Sequence, residues 1–269
     1  MAEKVRLCIA GAGGRMGRAL LEAAREQAGV QVTGALEHEG SPLLGKDAGE
    51  TLGLQLGVPI ATDIDAVLRS SNTLIDFTRP DGTLIHLAAC RRHKVKAVIG
   101  TTGFTDAQKA SIAEAAREIA IVFAPNMSVG VNVLLKLVEL ASSRLDPSYD
   151  IEVIEAHHKL KVDAPSGTAL KLGEVAAAAR GTTLKESGVF AREGVTGERK
   201  SGTIGFATVR GGDIVGDHTV LYAGPGECIE ISHRSYSRAN YAKGAMLAAA
   251  WLADKKPGLY DMQDVLGFK

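Results

Sequence analysis

Val5-Arg6-Leu7-Cys8-Ile9-Ala10 is a short apolar run that passes directly into Gly11-Ala12-Gly13-Gly14-Arg15-Met16-Gly17, and Arg15–Glu26 then carries apolar residues at helical spacing. A strand, a glycine-rich turn and a helix in that order leave few folds open. Glycines let the backbone reverse tightly and lie close to a ligand. The unpaired N–H groups and the dipole at the helix start favour an anion such as a pyrophosphate. The spacing Gly11-x-x-Gly14-x-x-Gly17 departs from G-x-G-x-x-G, because Met16 stands where a third glycine would fall. A tight turn without a ligand is the competing reading; the strand before and the helix after favour phosphate binding.

The rest of the first half repeats the alternation. Strands are expected at Val30–Leu36, Thr73–Phe77, Ala97–Ile99 and Ile121–Phe123, and helices at Ile64–Ser70, Leu84–His93 and Asp106–Ile119. Such βαβ units build a parallel sheet covered on both faces, which binds ligands beyond the C-terminal ends of its strands. Three further loops follow strand ends: Asp76-Phe77-Thr78-Arg79-Pro80, Gly100-Thr101-Thr102-Gly103 and Ala124-Pro125-Asn126-Met127. The second strand runs into Glu37, where an acidic residue usually grips a ribose hydroxyl. His38 beside it would favour a 2′-phosphate when protonated, less reliably than an arginine.

The pattern then changes. After an amphipathic helix over Val131–Leu145, a strand over Asp150–Ala156 and an Ala-rich helix over Gly167–Ala179 come strand-like stretches with turns between them, at Thr203–Val209, Ile214–Leu221 and Cys228–Ser232. That is an antiparallel or mixed sheet. Arg238–Asp254 is again helical and apolar, and is expected to return to the first domain. We therefore expect residues 1–128 with 239–269 to form a dinucleotide-binding domain and residues 129–238 a separate domain for substrate binding and tetramerisation. The polar, charged segment Gly181–Ser201 reads as a mobile loop.

Lys+Arg and Asp+Glu are equal at 31 each, which argues against a nucleic-acid or membrane-surface partner. No apolar run approaches the ~20 residues of a membrane span. A strand beginning at residue 5 leaves no room for a leader. The three cysteines, Cys8, Cys90 and Cys228, lie far apart and read as free thiols in a reducing, cytoplasmic setting.

The richest segment is Glu155-Ala156-His157-His158-Lys159-Leu160-Lys161-Val162-Asp163-Ala164-Pro165-Ser166-Gly167-Thr168-Ala169. It runs from a strand through a cationic loop into a helix start that Ser166 or Thr168 can cap. Imidazoles, ammonium groups and helix N–H groups together suit a small dicarboxylate. A solvated structural loop is the alternative, and it has no need of this cationic density. Neither Cys nor His-x3-His spacing supplies a zinc site, so no metal is expected.

At these segments the sequence resembles the 4-hydroxy-tetrahydrodipicolinate reductase (dihydrodipicolinate reductase) family over essentially its whole length. Besides the glycine turn, the carriers are Asp76-Phe77-Thr78, Gly100-Thr101-Thr102-Gly103, His157-His158 with Lys161-Val162-Asp163-Ala164-Pro165-Ser166-Gly167-Thr168-Ala169, Gly202–Phe206 and Gly212–His218. The resemblance implies an α/β fold: a Rossmann dinucleotide-binding domain plus a central α+β domain with a mixed sheet for substrate binding and homotetramer assembly. It implies NADH- or NADPH-dependent reduction of a small dicarboxylate in the diaminopimelate and lysine pathway. His157 is then the proton donor and Lys161 the second catalytic residue. His158, Lys161, Gly167 and Thr168 hold the carboxylates. Gly11, Ala12, Gly13, Gly14, Arg15, Met16, Glu37, Arg79, Gly100, Thr101, Thr102, Ala124, Pro125, Asn126 and Met127 line the cofactor site. Some members carry Arg at the position of His38, so the choice between NADH and NADPH stays open.

Two rival readings remain from the residues alone: another two-domain Rossmann reductase, or a non-catalytic dinucleotide sensor. A semialdehyde dehydrogenase needs a nucleophilic cysteine in a suitable loop. A short-chain dehydrogenase needs Tyr-x-x-x-Lys, which none of the five tyrosines provides. A sensor has no use for His157 and Lys161.

Overall fold

The computed structural model describes residues 4–269. The strands are β1 (Val5–Ala10), β2 (Val30–Leu36), β3 (Ile60–Ala61), β4 (Thr73–Asp76), β5 (Lys96–Ile99), β6 (Ala120–Phe123), β7 (Asp150–His157), β8 (Gly188–Val189), β9 (Ile204–Arg210), β10 (Gly216–Gly224), β11 (Glu227–Ser235) and β12 (Gly258–Tyr260). The α-helices are α1 (Arg15–Glu26), α2 (Ile64–Leu68), α3 (Pro80–His93), α4 (Asp106–Ala115), α5 (Val129–Arg144), α6 (Gly167–Ala179), α7 (Leu184–Ser187), α8 (Ala239–Trp251) and α9 (Met262–Val265). They divide into two compact units, one of the described residues up to Val129 with Arg238–Lys269, the other Gly130–Ser237.

The first unit is a seven-stranded sheet in the order β12-β6-β5-β4-β1-β2-β3, every pairing parallel. β1 shows why it is central. Leu7 and Ile9 feed one core, with Leu20, Leu21, Ala245 and Ala249, while Cys8 and Ala10 feed a second on the other face, with Leu74, Ile99 and Leu87. A strand buried on both faces has no polar side to alternate with, hence the apolar run Leu7–Ala10, with exposed Arg6 only at the strand's start. Each fully buried Leu or Ile contributes about 1.5–3 kcal/mol. The tail helix α8 completes the first of these cores. Gly244 lets it lie directly on the backbone of Met127, where any Cβ would fall 1.8 Å from the carbonyl oxygen.

The second unit is a five-stranded mixed sheet in the order β11-β10-β7-β9-β8. β7 runs antiparallel to β10 and parallel to β9. α5 and α6 cover one face through Leu134, Val138, Leu172 and Ala176, packed on Ile151, Val153, Phe206 and Tyr222. The segment expected as a loop over Gly181–Ser201 instead contains α7 and β8, and its arginines are anchored. Arg192 makes a two-pronged ion pair with Glu152 at 2.8 and 2.9 Å, and Arg199 bonds Glu152, Asp150 and the carbonyls of Ile151 and Thr203. The charge of these two arginines is paired, while Glu193, Glu198 and Lys200 in the same stretch are exposed. Among the described residues no helix is long and apolar enough to cross a membrane.

Candidate active site

In the first unit one register row aligns the strand ends: Leu36, Ala10, Asp76, Ile99 and Phe123 pair in sequence across β2, β1, β4, β5 and β6. Everything expected to touch a dinucleotide leaves the sheet just past this row. Chain order reverses between β1 and β4, the switch point where such sheets bind ligands. Gly11 turns the chain there with φ +69, and the N–H groups of Gly11 and Ala12 both donate to the Leu36 carbonyl. Gly17 admits α1 against the turn: a Cβ would sit 2.2 Å from the Gly11 carbonyl oxygen. Gly14 caps α1 with no side-chain bond, so the N–H groups at Arg15 and Met16 meet no side-chain cap. Glu37 closes the pocket side, its Oε1 accepting the Gly13 N–H at 2.9 Å. These features fit a pyrophosphate and ribose. His38 is 77% exposed, with Nδ1 2.8 Å from the Glu39 carbonyl oxygen.

The neighbouring loops are held from below by Asp76, which is buried. Its Oδ1 accepts the Thr78 N–H at 2.8 Å and the Thr78 and Thr101 hydroxyls, and its Oδ2 faces His86 Nδ1 at 2.7 Å. Burial pushes the Asp76 carboxyl up, but the bonds from His86 and Thr78 outweigh it and leave its pKa lowered. Thr101 thus points inward, whereas Arg79 and Thr102 are exposed at the edge. Ala124 and Met127 are buried in the core, and Pro125 and Asn126 lie nearer the surface.

In the second unit the inward face of β7 reads Ile151, Val153, Glu155, His157. Period-two geometry carries it from apolar core to a polar end. His157 is buried, with Nδ1 2.5 Å from Glu155 Oε2 and its ring edge-on to His218, centroids 5.1 Å apart. Gly216 borders its Nε2, which a Cβ there would approach to 3.1 Å. Lys161 lies in the following loop, its Nζ 2.7 and 2.8 Å from the two Asp163 oxygens. Ser166 caps α6, accepting the Ala169 N–H and bonding His218 Nε2 at 3.0 Å. Gly167 and Thr168 occupy the first two helical positions, whose N–H groups point outward along the axis. His158 sits at the start of the loop; its Nδ1 is buried with no hydrogen-bond partner among the described residues.

Burial lowers the His157 pKa, helped by the Lys161 and Arg210 cations and opposed by Glu155. His218 is driven to about 4, chiefly by burial and then by His157, so it stays neutral. Lys161 holds the Asp163 carboxyl below its usual range. Among the described residues no cluster suits a metal ion.

Sequence reading passed over Glu155 and His218 as working residues, and Arg210 altogether. Arg210 joins Glu155 from 55 positions away. Its signal was present only in the alternation of β9, which places it level with His157.

A seven-stranded parallel sheet with a glycine turn at its switch point, joined to a unit with a five-stranded mixed sheet, is the architecture of a two-unit Rossmann-type protein. Residues 5–127 match the family described as Dihydrodipicolinate reductase, N-terminus, and residues 130–266 the family described as Dihydrodipicolinate reductase, C-terminus. The chain belongs to the dihydrodipicolinate reductase family. It is 62% identical over 265 residues to the 4-hydroxy-tetrahydrodipicolinate reductase of Laribacter hongkongensis, covering 98% of this chain and 99% of that protein. It is 64% identical over 263 residues to the enzyme of the same name from Cupriavidus necator, with the same coverage. A solved structure, a dipicolinate-bound dihydrodipicolinate reductase from Paenisporosarcina sp. TG-14, superposes with a TM-score of 0.78 at 25% identity, covering 97% of this chain and 98% of that one. The chain is thus an oxidoreductase that uses a nicotinamide dinucleotide.

Proposed function

We propose that this chain reduces 4-hydroxy-tetrahydrodipicolinate to tetrahydrodipicolinate with NADH or NADPH. The observation that carries the reading is a buried imidazole, His157, whose Nδ1 is held by Glu155 while Nε2 is left toward Gly216, in the same loop-and-helix segment as Lys161 and the start of α6. The change replaces a ring hydroxyl by hydrogen, so a hydride and a proton enter and water leaves. When bound, the dinucleotide supplies the hydride. Gly11, Ala12, Gly13, Gly14, Arg15 and Met16 hold its pyrophosphate and Glu37 its ribose, with Arg79, Gly100, Thr101, Thr102 and Ala124–Met127 along the same edge.

His158, Lys161 and the N–H groups of Gly167 and Thr168 hold the two carboxylates. Loss of water leaves a conjugated C=N ring. As the carbon that bore the hydroxyl takes hydride, electrons move toward nitrogen, and the adjacent carbon takes the Nε2 proton of His157. Lys161 offsets the negative charge that builds up, a contribution of about 3–4 kcal/mol in a dry site. An arriving dianion also raises the pKa of His157, so the substrate loads its own proton donor.

Ile154, Val209 and Ile229 stay 37%, 50% and 39% exposed on the sheet of the second unit, which supports burial against other copies in a homotetramer. The neutral charge balance and free thiols support a cytoplasmic setting. The test mixes protein, NADPH or NADH, and the fresh condensation product of pyruvate and aspartate semialdehyde. Loss of nicotinamide absorbance that requires all three components is expected; no loss would contradict the reading.

A further inference from the structure

We infer that Glu155 is a positioning residue that fixes the His157 tautomer and ties it to the start of α6 and to the Lys161 loop. The inference rests on the proton-donor role just proposed. The Glu155 side chain is wholly buried. A carboxylate in that position is costly unless fully bonded, and every bond it accepts leads to part of the site. Oε2 faces His157 Nδ1 at 2.5 Å and takes Arg210 Nη1 at 2.8 Å. Oε1 takes Arg210 Nη2 at 2.8 Å, the Ser166 N–H at 3.1 Å and the Thr208 hydroxyl at 3.3 Å. Arg210 balances the charge and reaches on to the Asp163 carbonyl at 2.7 Å, next to the side chain that holds Lys161.

An ionised carboxylate only accepts, so Nδ1 carries the hydrogen and Nε2 faces the reaction. After Nε2 gives up its proton, the neutral ring left behind is the Nδ1–H form, already bonded to Glu155. Nε2 then regains a proton from solvent, with no ring flip and no proton shift between the two ring nitrogens before the next turnover. The charged groups that face His157 are Glu155 on its own strand, Arg210 on β9, Lys161 in the loop and neutral His218 on β10. Glu155 is the one anion among them, so its loss should make the imidazolium easier to deprotonate.

The direct test uses the wild-type protein. In a 15N spectrum of labelled histidines, with His157 assigned through a His157→Gln variant, neutral His157 should show a protonated Nδ1 and a bare Nε2. The opposite tautomer would overturn the proposal, and this readout holds whether or not the protein turns over the proposed substrate. In Glu155→Gln, kcat should fall roughly 100-fold or more, as for a mis-set tautomer. The alkaline limb of the pH–rate profile should move to lower pH, while the Kd for NADH stays unchanged. A loss of kcat with an unmoved pH profile would mean a merely structural role and would overturn the proposal. Wild-type protein inactive toward the ring substrate would instead refute the proposed function and leave the tautomer result standing.

Discussion

His157 and Glu155 project from the same face of β7, and the imidazole Nδ1 lies 2.5 Å from the buried carboxylate. On the proposed reading, the pair makes His157 an oriented proton donor rather than a binding group. Replacing it by Gln should lower kcat by about 100–10,000-fold while the Kd for NADH stays unchanged, since the glycine turn belongs to the other unit. Steady-state kinetics with a fluorescence titration of the cofactor measure both. A collapse of cofactor affinity would contradict the assignment.

Lys161 and Asp163 form an ion pair in which the Asp163 side chain is 55% exposed. If Lys161 holds a substrate carboxylate, as proposed, that carboxylate competes with Asp163 for the ammonium group. Exposed pairs of this kind contribute roughly 0.2–1 kcal/mol. Asp163→Asn should therefore bind dipicolinate more tightly, by up to about fivefold, whereas Lys161→Ala should bind it markedly less well. Calorimetric titration decides, and weaker binding by Asp163→Asn would show that the carboxylate orients Lys161 instead of competing for it.

Glu37 bonds the Gly13 N–H at 2.9 Å and marks the end of β2. A charged hydrogen bond to a ribose hydroxyl is worth about 1.5–3 kcal/mol, so Glu37→Ala should weaken NADH roughly 10–100-fold. His38 is exposed beside it, and His38→Arg should raise kcat/KM for NADPH relative to NADH. Side-by-side titration of the two cofactors checks both. An unchanged ratio in His38→Arg would remove His38 from the cofactor site.

Asp76 stabilises the loops after β4 and β5 only while ionised. Its folded pKa lies below the ordinary 3.8, so the stabilisation is complete above that value and is lost as pH falls through the lower folded one. Asp76→Asn should unfold more easily at neutral pH, by about 1–3 kcal/mol. The gap to wild type should narrow in acid. Urea melts at several pH values test this; a gap independent of pH would contradict it.

Much of this was legible in the residues. The run Val5–Gly17 announces its strand, turn and helix because glycine spacing and a two-sided apolar strand leave few alternatives. The cofactor-side loops were legible as strand ends, and the register row from Leu36 to Phe123 is what aligns them. The His157–Thr168 segment shows its density of charge in the sequence, and the structure adds the bonds from Glu155 to His157 and to Ser166. The pairing of Glu155 with Arg210 and Thr208 was not legible, because those partners lie about fifty positions on and carry no local signature. β3 and β12, at two and three residues, are too short for a period-two pattern. Arg192 and Arg199 looked solvated because Glu152, their partner, lies on β7, 40 and 47 positions earlier.

The proposed function requires the segment from His157 to Thr168 to grip a small diacid. A crystal structure of this protein with dipicolinate measures it most directly. The prediction is one carboxylate within ~3 Å of Lys161 Nζ or the Gly167 and Thr168 N–H groups, with the ring beside His157 Nε2. Dipicolinate bound elsewhere, with Lys161 still paired to Asp163, would contradict it.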